Sequence, residues 1–243
     1  MIDFNNVKLG RKSVSFNPKL RAATTSLLET LPPPPLAVDN RMGVTDWGMM
    51  GNDTIGDCTC AGLAHHQQVV TLDAGQQQTP STEQVLAAYS QFCGYVPGDP
   101  STDQGGNELD ILTTLLTLKQ GVFGHRLLGY VSPDPKNLDH VKKAIAYFRA
   151  VYMGCLMPAN FRSQSVWTAV ENDGGIDGGH CMCVGSYTPD QIPFITWGEN
   201  QPADYSWWLK YTDEVHCLVW DTTLKLFPAS TQQTILNVMQ AID

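Results

Sequence analysis

Residues 52–62 read Asn-Asp-Thr-Ile-Gly-Asp-Cys-Thr-Cys-Ala-Gly. The stretch places Cys58 where a glycine-containing turn meets a run of small and apolar residues that is typical of a helix. Backbone N–H groups at the start of a helix stabilise a nearby negative charge, so a cysteine at this position favours its thiolate. Because the thiolate is the nucleophilic form, the sequence predicts that Cys58 takes part in chemistry.

A histidine far downstream is the natural partner of this cysteine. His180 follows two glycines, which allow a close backbone approach, and it precedes an apolar, strand-like run over residues 181–187. Asn52 lies six positions before Cys58 on the same turn. Its side-chain amide is a candidate to join the Cys58 backbone N–H as an oxyanion donor. A nucleophile, a base and two donors are therefore all available.

Composition and charge exclude several classes of protein. The 243-residue chain is 42% hydrophobic and 16% charged, enough for a substantial core, and its formal net charge is −9. Without a basic cluster of the kind that follows a phosphate backbone, we do not expect nucleic acid as a partner. No apolar run reaches the roughly 20 residues that span a bilayer, so we expect no membrane association.

The cysteines bear on the cellular compartment. The chain has seven of them, so at least one stays unpaired. The start of the sequence lacks the positive-then-apolar pattern of a secretory signal peptide. We therefore expect free thiols in a reducing compartment. A cytoplasmic protein and a viral or phage-associated protein released by lysis both fit this expectation.

Hydrophobic periodicity divides the chain into a helical first part and a strand-rich second part. We predict an extended N-terminal arm over residues 1–45, with a short helix near its middle, and one domain over residues 46–243. Helices that precede strands indicate an α+β fold, in which a helical half carrying Cys58 packs against an antiparallel β half. The predicted helices are 24–31, 59–72, one capped by Ser81, 108–120, 137–148 and 230–242, and the predicted strands are 122–131, 150–157, 181–187, 192–197, 206–211 and 216–220.

The order of these motifs resembles that of papain-like cysteine peptidases. The matching features are Gly56-Asp57-Cys58 before a helix of small residues, Gly179-His180 before a strand, and Thr196-Trp197-Gly198 further on. The family has an oxyanion-hole glutamine six residues before its cysteine, where this chain has Asn52. The resemblance implies a papain-like fold, a thiol hydrolase acting on peptides or proteins, and no cofactor. It also implies that Trp197 covers the contact between the histidine and the residue that orients it.

Two positions depart from the family pattern. Thr59 follows the cysteine where a bulky aromatic residue is usual, and Ile195 stands where an asparagine normally orients the imidazole. Because Ile195 cannot accept a hydrogen bond from an imidazole, we expect Thr196, or Asn200 from a turn, to orient His180. The departures motivate a second hypothesis. In it the fold is catalytically silent and serves as a binding or virion-structural module whose arm contacts a protein partner.

A metal site is an alternative use of the thiols and the imidazole. Structural zinc sites usually take cysteine pairs separated by two to four residues. Here Cys58 and Cys60, like Cys181 and Cys183, are separated by one residue. We therefore expect no metal, and we assign Cys60 to packing because helical pitch turns it away from Cys58. A disulfide between the two Cys-x-Cys segments is the corresponding alternative in an oxidising setting.

Overall fold

The helices determine where Cys58 lies in the fold. A computed structural model describes residues 4–14, 18–73, 75 and 77–240 of the chain. Its seven α-helices within these ranges are α1 (Pro18–Glu29), α2 (Cys58–Asp73), α3 (Thr82–Cys93), α4 (Glu108–Thr117), α5 (Leu138–Phe148), α6 (Tyr205–Tyr211) and α7 (Ala229–Gln240). None of the helices in these ranges is long and apolar enough to cross a membrane.

The strands form one large sheet and one small pair. Six antiparallel strands are ordered β2-β8-β3-β4-β6-β7, and β1 pairs with β5 beside them. The strands are β1 (Val38–Asp39), β2 (Leu127–Val131), β3 (Val151–Pro158), β4 (Ile176–Val184), β5 (Ser186–Tyr187), β6 (Phe194–Thr196), β7 (Glu199–Gln201) and β8 (Thr212–Trp220).

Helix α2 is central because it is buried on every side. All of its residues from Cys58 to Thr71 are buried, which explains why its apolar and small residues cover the whole circumference. The helix packs closely on β4 at Gly62, where an added Cβ would lie 3.1 Å from the Cys181 sulfur and 3.3 Å from the Tyr152 ring. This contact holds the start of α2 beside the strand that carries His180.

Local signals in the sequence account for several helix boundaries. Ser81 caps α3 with the predicted capping box, in which its hydroxyl accepts from the Gln84 N–H and the Gln84 side chain accepts from the Ser81 N–H. A simpler cap begins α5, where the Asn137 side chain accepts from the His140 N–H. These caps explain why the predicted starts of both helices agree with the structure to within one residue.

One element is of a different type from the prediction. Residues 206–211 form most of helix α6 instead of a strand. Asp204 caps this helix by accepting from the Trp207 N–H, and Trp207, Trp208 and Tyr211 are buried on one helical face. The aromatic residues suggested a strand because they are common in sheets, but their spacing fits a helix.

The N-terminal arm is only partly extended. Residues 7–14 have no helical turn, whereas α1 occupies 18–29 and reaches further toward the N terminus than the predicted helix over 24–31. Leu27 and Leu28 of α1 lie in the same core cluster as α5 and the sheet. The term "extended" therefore applies to the first segment of the arm and not to the second. The division of the chain at residue 45 stays a prediction.

Candidate active site

Cys58 is the first residue of α2 and has no exposed surface. Burial raises the pKa of its thiol to about 12, although hydrogen bonds from the backbone of Cys181 and of Gly10 act in the opposite direction. The carboxylates of Asp57 and Glu108 raise the pKa further. In this state the sulfur is therefore a neutral thiol at neutral pH.

His180 lies in the middle of β4 and is also fully buried. Its Nε2 is 2.7 Å from the Thr196 hydroxyl oxygen, and its ring stacks on the Trp197 indole with centroids 4.2 Å apart. Its Nδ1 is buried and has no hydrogen-bond partner. Burial lowers the pKa of the imidazole to about 3, and repulsion from His65 in its protonated form and from the Arg11 cation adds to that effect. A neutral ring that donates from Nε2 to Thr196 leaves the Nδ1 lone pair free.

The register of β6 determines which residue reaches the imidazole. Ile195 pairs with Cys183 and packs in a separate small apolar cluster, so the next residue, Thr196, points to the opposite face. Asn200 lies on β7, where its side chain accepts a hydrogen bond from Arg41 at 2.9 Å. The structure thus brings Thr196 to His180 and does not bring Asn200 there.

Trp197 is fixed in an unusual backbone conformation over the imidazole. Its φ of 46° is in the left-handed region, which is rare for a bulky residue and is stabilised only by its surroundings. Its indole N–H donates to the backbone oxygen of Asn52 at 3.1 Å, and Phe161 stacks on the ring with centroids 5.7 Å apart. These contacts tie the turn before α2 to the wall beside His180.

Asn52 is buried next to the turn that leads into Cys58. Its side-chain nitrogen donates to an Asp57 carboxyl oxygen at 3.1 Å. Burial raises the pKa of Asp57 to about 8, and its second carboxyl oxygen has no hydrogen-bond partner. An amide nitrogen has two hydrogens, so the bond to Asp57 leaves one for another acceptor.

The first segment of the arm, residues 7–14, packs beside Cys58 at the start of α2 and beside His180 on β4. Its backbone hydrogen-bonds on one side to Gly106, which donates to the Gly10 oxygen at 2.9 Å. On the other side the Arg11 N–H donates to the Gly179 oxygen at 3.0 Å. A Cβ at Gly10 would lie 2.0 Å from the Gly56 oxygen, so the segment fits only because it is glycine there. The Gly10 N–H hydrogen-bonds to the Cys58 thiol, and Arg11 pairs with the residue before His180, so the segment lies next to both buried side chains.

The sequence alone did not identify Gly10, Arg11 or their neighbours as functional residues. The available signal was the paired glycines at 105–106 and 178–179, since glycine pairs mark places where another backbone approaches closely. A Cβ at Gly105 would lie 1.8 Å from the Gly10 oxygen, and one at Gly179 would lie 2.5 Å from the Arg11 oxygen. Both pairs therefore line the path of the arm.

The residues that could hold a metal ion are not the cysteine pairs considered in the sequence. Within the described ranges, which include all seven cysteines, the one group of side chains spaced to hold a metal ion is Glu108, Glu214 and His216. The Arg11 guanidinium already pairs with both carboxylates of this group. All seven cysteines are free thiols, and Cys60 contacts the thiol of Cys93.

Comparison with solved structures shows which known proteins share this fold. No family model and no curated protein match the sequence. Among solved structures, xylellain, a cysteine protease from Xylella fastidiosa, is 15% identical with a TM-score of 0.62, over 88% of this chain and 96% of its own. The ragweed cysteine protease Amb a 11 in its proform is 13% identical with a TM-score of 0.60, over 89% and 69%. Procathepsin B from Trypanosoma congolense is 10% identical with a TM-score of 0.57, over 89% and 84%. The predicted papain-like α+β fold is confirmed.

Proposed function

We propose that the chain is a thiol hydrolase that cleaves a peptide or amide bond, with Cys58 as nucleophile and His180 as base. One observation carries the proposal. In a papain-like fold whose central helix begins with Cys58, the His180 ring is held by Thr196 and Trp197 and keeps a buried Nδ1 without a partner. A nitrogen in that state is suited to accept the thiol proton.

The proposed reaction has two halves, in which Cys58 is first acylated and then deacylated. His180 Nδ1 takes the proton from Cys58, and the thiolate attacks the carbonyl carbon of the substrate. The resulting oxyanion accepts hydrogen bonds from the Cys58 N–H and from the Asn52 amide hydrogen that Asp57 does not use. The imidazolium gives its proton to the departing amine, which leaves an acyl group on the sulfur. In the second half His180 deprotonates a water molecule, whose oxygen attacks the acyl carbon. The carbon–sulfur bond then breaks, the acid leaves, and the imidazolium returns its proton to the Cys58 sulfur.

The state with the arm docked does not turn over substrate. Both groups are neutral and buried, and residues 7–14 pack beside them. Displacement of the arm would admit water and remove most of the burial that raises the pKa of Cys58 and lowers the pKa of His180. The pKa of Cys58 would then fall and the pKa of His180 would rise, and both changes favour a thiolate and imidazolium pair. We propose that the hydrolase is latent until the first segment of the arm leaves the cleft.

The second candidate is a catalytically silent papain-like module that binds a protein partner or serves in a virion. The observation in its favour is the same complete burial of Cys58 and His180, which suits a fold that has no use for an open cleft. Asn52 and Ile195, at the positions of the family's glutamine and asparagine, point the same way.

A variant that displaces the arm separates the two candidates. In Gly10→Val the added atoms clash with the Gly56 oxygen, so the first segment cannot dock. We expect this variant to hydrolyse a fluorogenic peptide library, and we expect Cys58→Ala in the same background to abolish that activity. Val14→Ala, at an exposed position of the arm, is the matched control and should behave like the unmodified chain. A folded Gly10→Val variant that hydrolyses nothing would favour the silent module.

A further inference from the structure

The Arg11 side chain fills a buried acidic pocket. Only 1% of this side chain is exposed. Its Nε donates to Glu108 at 2.8 Å, and one terminal nitrogen donates to Glu214 at 2.7 Å and lies 2.8 Å from Asp213. The other terminal nitrogen donates to Asp213 at 3.2 Å. Three carboxylates from two distant parts of the chain therefore surround one guanidinium.

The pocket is shaped for a long side chain. Its floor is Gly154 of β3, where a Cβ would lie 2.0 Å from the Arg11 Nε and 2.3 Å from the Glu108 carboxylate. Any larger residue at position 154 would fill the space that the guanidinium occupies. The depth of the pocket thus depends on glycine in the central part of the sheet.

A second layer of hydrogen bonds orients the carboxylate of Glu214. Its other oxygen is 3.0 Å from the His216 Nε2, and the His216 Nδ1 is 2.7 Å from the Ser132 hydroxyl. All three residues are buried. Such a chain fixes the carboxylate without the help of the arm. The pocket therefore belongs to the domain, and the arm supplies only its occupant.

Loss of the occupant would leave buried acidic groups without a cation. Burial, followed by the charge of Glu214, raises the pKa of Glu108, and Arg11 offsets part of this effect. An uncompensated buried carboxylate is costly, so an empty pocket strongly favours entry of another cation. A guanidinium suits it best, because its fork of N–H groups matches several carboxylates at once.

The backbone around Arg11 places the pocket close to the reacting sulfur. The preceding residue, Gly10, directs its N–H at Cys58, and the segment is held between Gly106 and Gly179 by backbone hydrogen bonds. A peptide held by the same backbone groups would present one of its side chains to the same pocket. That side chain would lie within a few residues of the bond over Cys58.

We infer that this pocket, formed by Glu108, Asp213, Glu214 and Gly154, selects an arginine of the peptide substrate near the bond that is cleaved. The inference rests on the proposed function and gives it a substrate class. Arginine is preferred to lysine, which lacks the fork, and both are preferred to citrulline, which has the shape of arginine without its charge. The arm's Arg11 is the intramolecular occupant of the same pocket.

The hydrolysis test uses full-length Gly10→Val. Coumarin-amide tripeptides of alanine carry arginine, lysine, citrulline or leucine at each of the three positions before the cleaved bond. At one position we expect arginine to raise kcat/KM roughly 30-fold or more over citrulline. Glu108→Gln and Glu214→Gln should each reduce this ratio, and Glu171→Gln, at an exposed site far along the chain, should not. Hydrolysis without preference for arginine at any position would overturn the inference and leave the hydrolase standing.

A binding test separates the pocket from the chemistry. Cys58→Ser is added to Gly10→Val to prevent turnover. Fluorescence anisotropy then measures binding of a labelled peptide with the sequence of residues 4–14, which carries either arginine or citrulline at the position of Arg11. We expect the arginine peptide to bind at least about 30-fold more tightly. Tighter binding together with no hydrolysis in the first test would keep the pocket and reject the hydrolase. Equal binding of the two peptides would reject the pocket. If Gly10→Val fails to fold, Arg11→Gln is used in its place, since it empties the pocket directly.

Discussion

Arg11 and His180 are both buried, yet their charge states are opposite. Burial alone would lower the pKa of both groups. For His180 it does so, to about 3, because the carboxylates of the cleft lie elsewhere and Nδ1 has no partner. For Arg11 the three carboxylates around it outweigh burial, so its pKa is raised above the usual range. Burial keeps His180 neutral, whereas the carboxylate partners of Arg11 keep that group charged despite its burial.

This difference explains how one segment can both stabilise the fold and suppress the chemistry. The ionic partners in the cleft belong to the Arg11 pocket, so docking of the arm satisfies them. The same docking shuts water away from Cys58 and His180 and leaves both neutral. Interactions that favour the docked arm therefore act against formation of the thiolate. Each of the following predictions changes one side of this comparison.

The largest effect is expected from removal of the nucleophile. In the Gly10→Val background, Cys58→Ala should lower kcat/KM by at least about 1,000-fold, because no other group can form the acyl intermediate. Cys217→Ala, which removes a buried thiol from the core cluster on β8, is the matched control. Progress curves with a fluorogenic peptide measure both variants. Equal activity of Cys58→Ala and its parent would remove Cys58 from the mechanism.

The next largest effect is expected from loss of the Arg11 charge, which stabilises the docked arm. Arg11→Gln leaves buried carboxylates without their cation, so we expect the docked arm to lose about 3 kcal/mol of stability. Alkylation of Cys58 by iodoacetamide at pH 7, followed by peptide mapping, should accelerate roughly 100-fold as the arm opens. Lys12→Gln removes the neighbouring, exposed cation and should leave the alkylation rate unchanged. Similar rates in both variants would show that charge at Arg11 does not hold the arm.

The buried, neutral imidazole of His180 predicts that the stability of the fold depends on pH. Because the folded pKa of His180 is about 3, below its ordinary value of 6.5, the unfolded chain binds one more proton between these limits. The contribution of His180 is full above pH 6.5 and is lost as pH falls. At pH 5 the loss is about 2 kcal/mol. Urea unfolding of the unmodified chain and of His180→Gln at pH 7 and pH 5 measures it.

His65 and His66 act in the same direction, because burial lowers the pKa of each to about 4. The unmodified chain should therefore lose more stability on acidification than His180→Gln, and both should lose some. If the two chains lose the same amount between pH 7 and pH 5, His180 is not buried in its neutral form.

The smallest effect is expected from the residue that orients the imidazole. In the Gly10→Val background, Thr196→Val should lower kcat about 10-fold, since the ring stays stacked on Trp197 but loses its hydrogen bond. Thr196→Ser keeps the hydroxyl and should retain most of the activity. Asn200→Ala should have no effect, because its side chain bonds to Arg41. A greater loss from Asn200→Ala than from Thr196→Val would reverse this assignment.

The helical half was predictable because its signals are local. The capping box at Ser81 and the cap at Asn137 lie within three residues of the groups they bond. The run of small and apolar residues after Cys58 likewise predicts the buried helix α2. Local signals failed at α6, where the strand preference of aromatic residues outweighed the helical spacing of Trp207 and Tyr211.

The covered state of the cleft could not be predicted because its contacts join distant residues. Arg11 lies 97 residues from Glu108 and 203 from Glu214 in the chain. No periodicity or spacing relates positions so far apart. The glycines at 105–106 and 178–179 indicate that something approaches closely, but only the fold shows that it is the arm.

The most direct test of the account is the pKa of the Cys58 thiol in Gly10→Val, read from the pH dependence of its alkylation by iodoacetamide. With the arm displaced and His180 available as a cation, we predict a value well below about 7, and much slower labelling at every pH in the unmodified chain. A value at or above the ordinary one of about 8.5 would contradict the account and would favour a silent module.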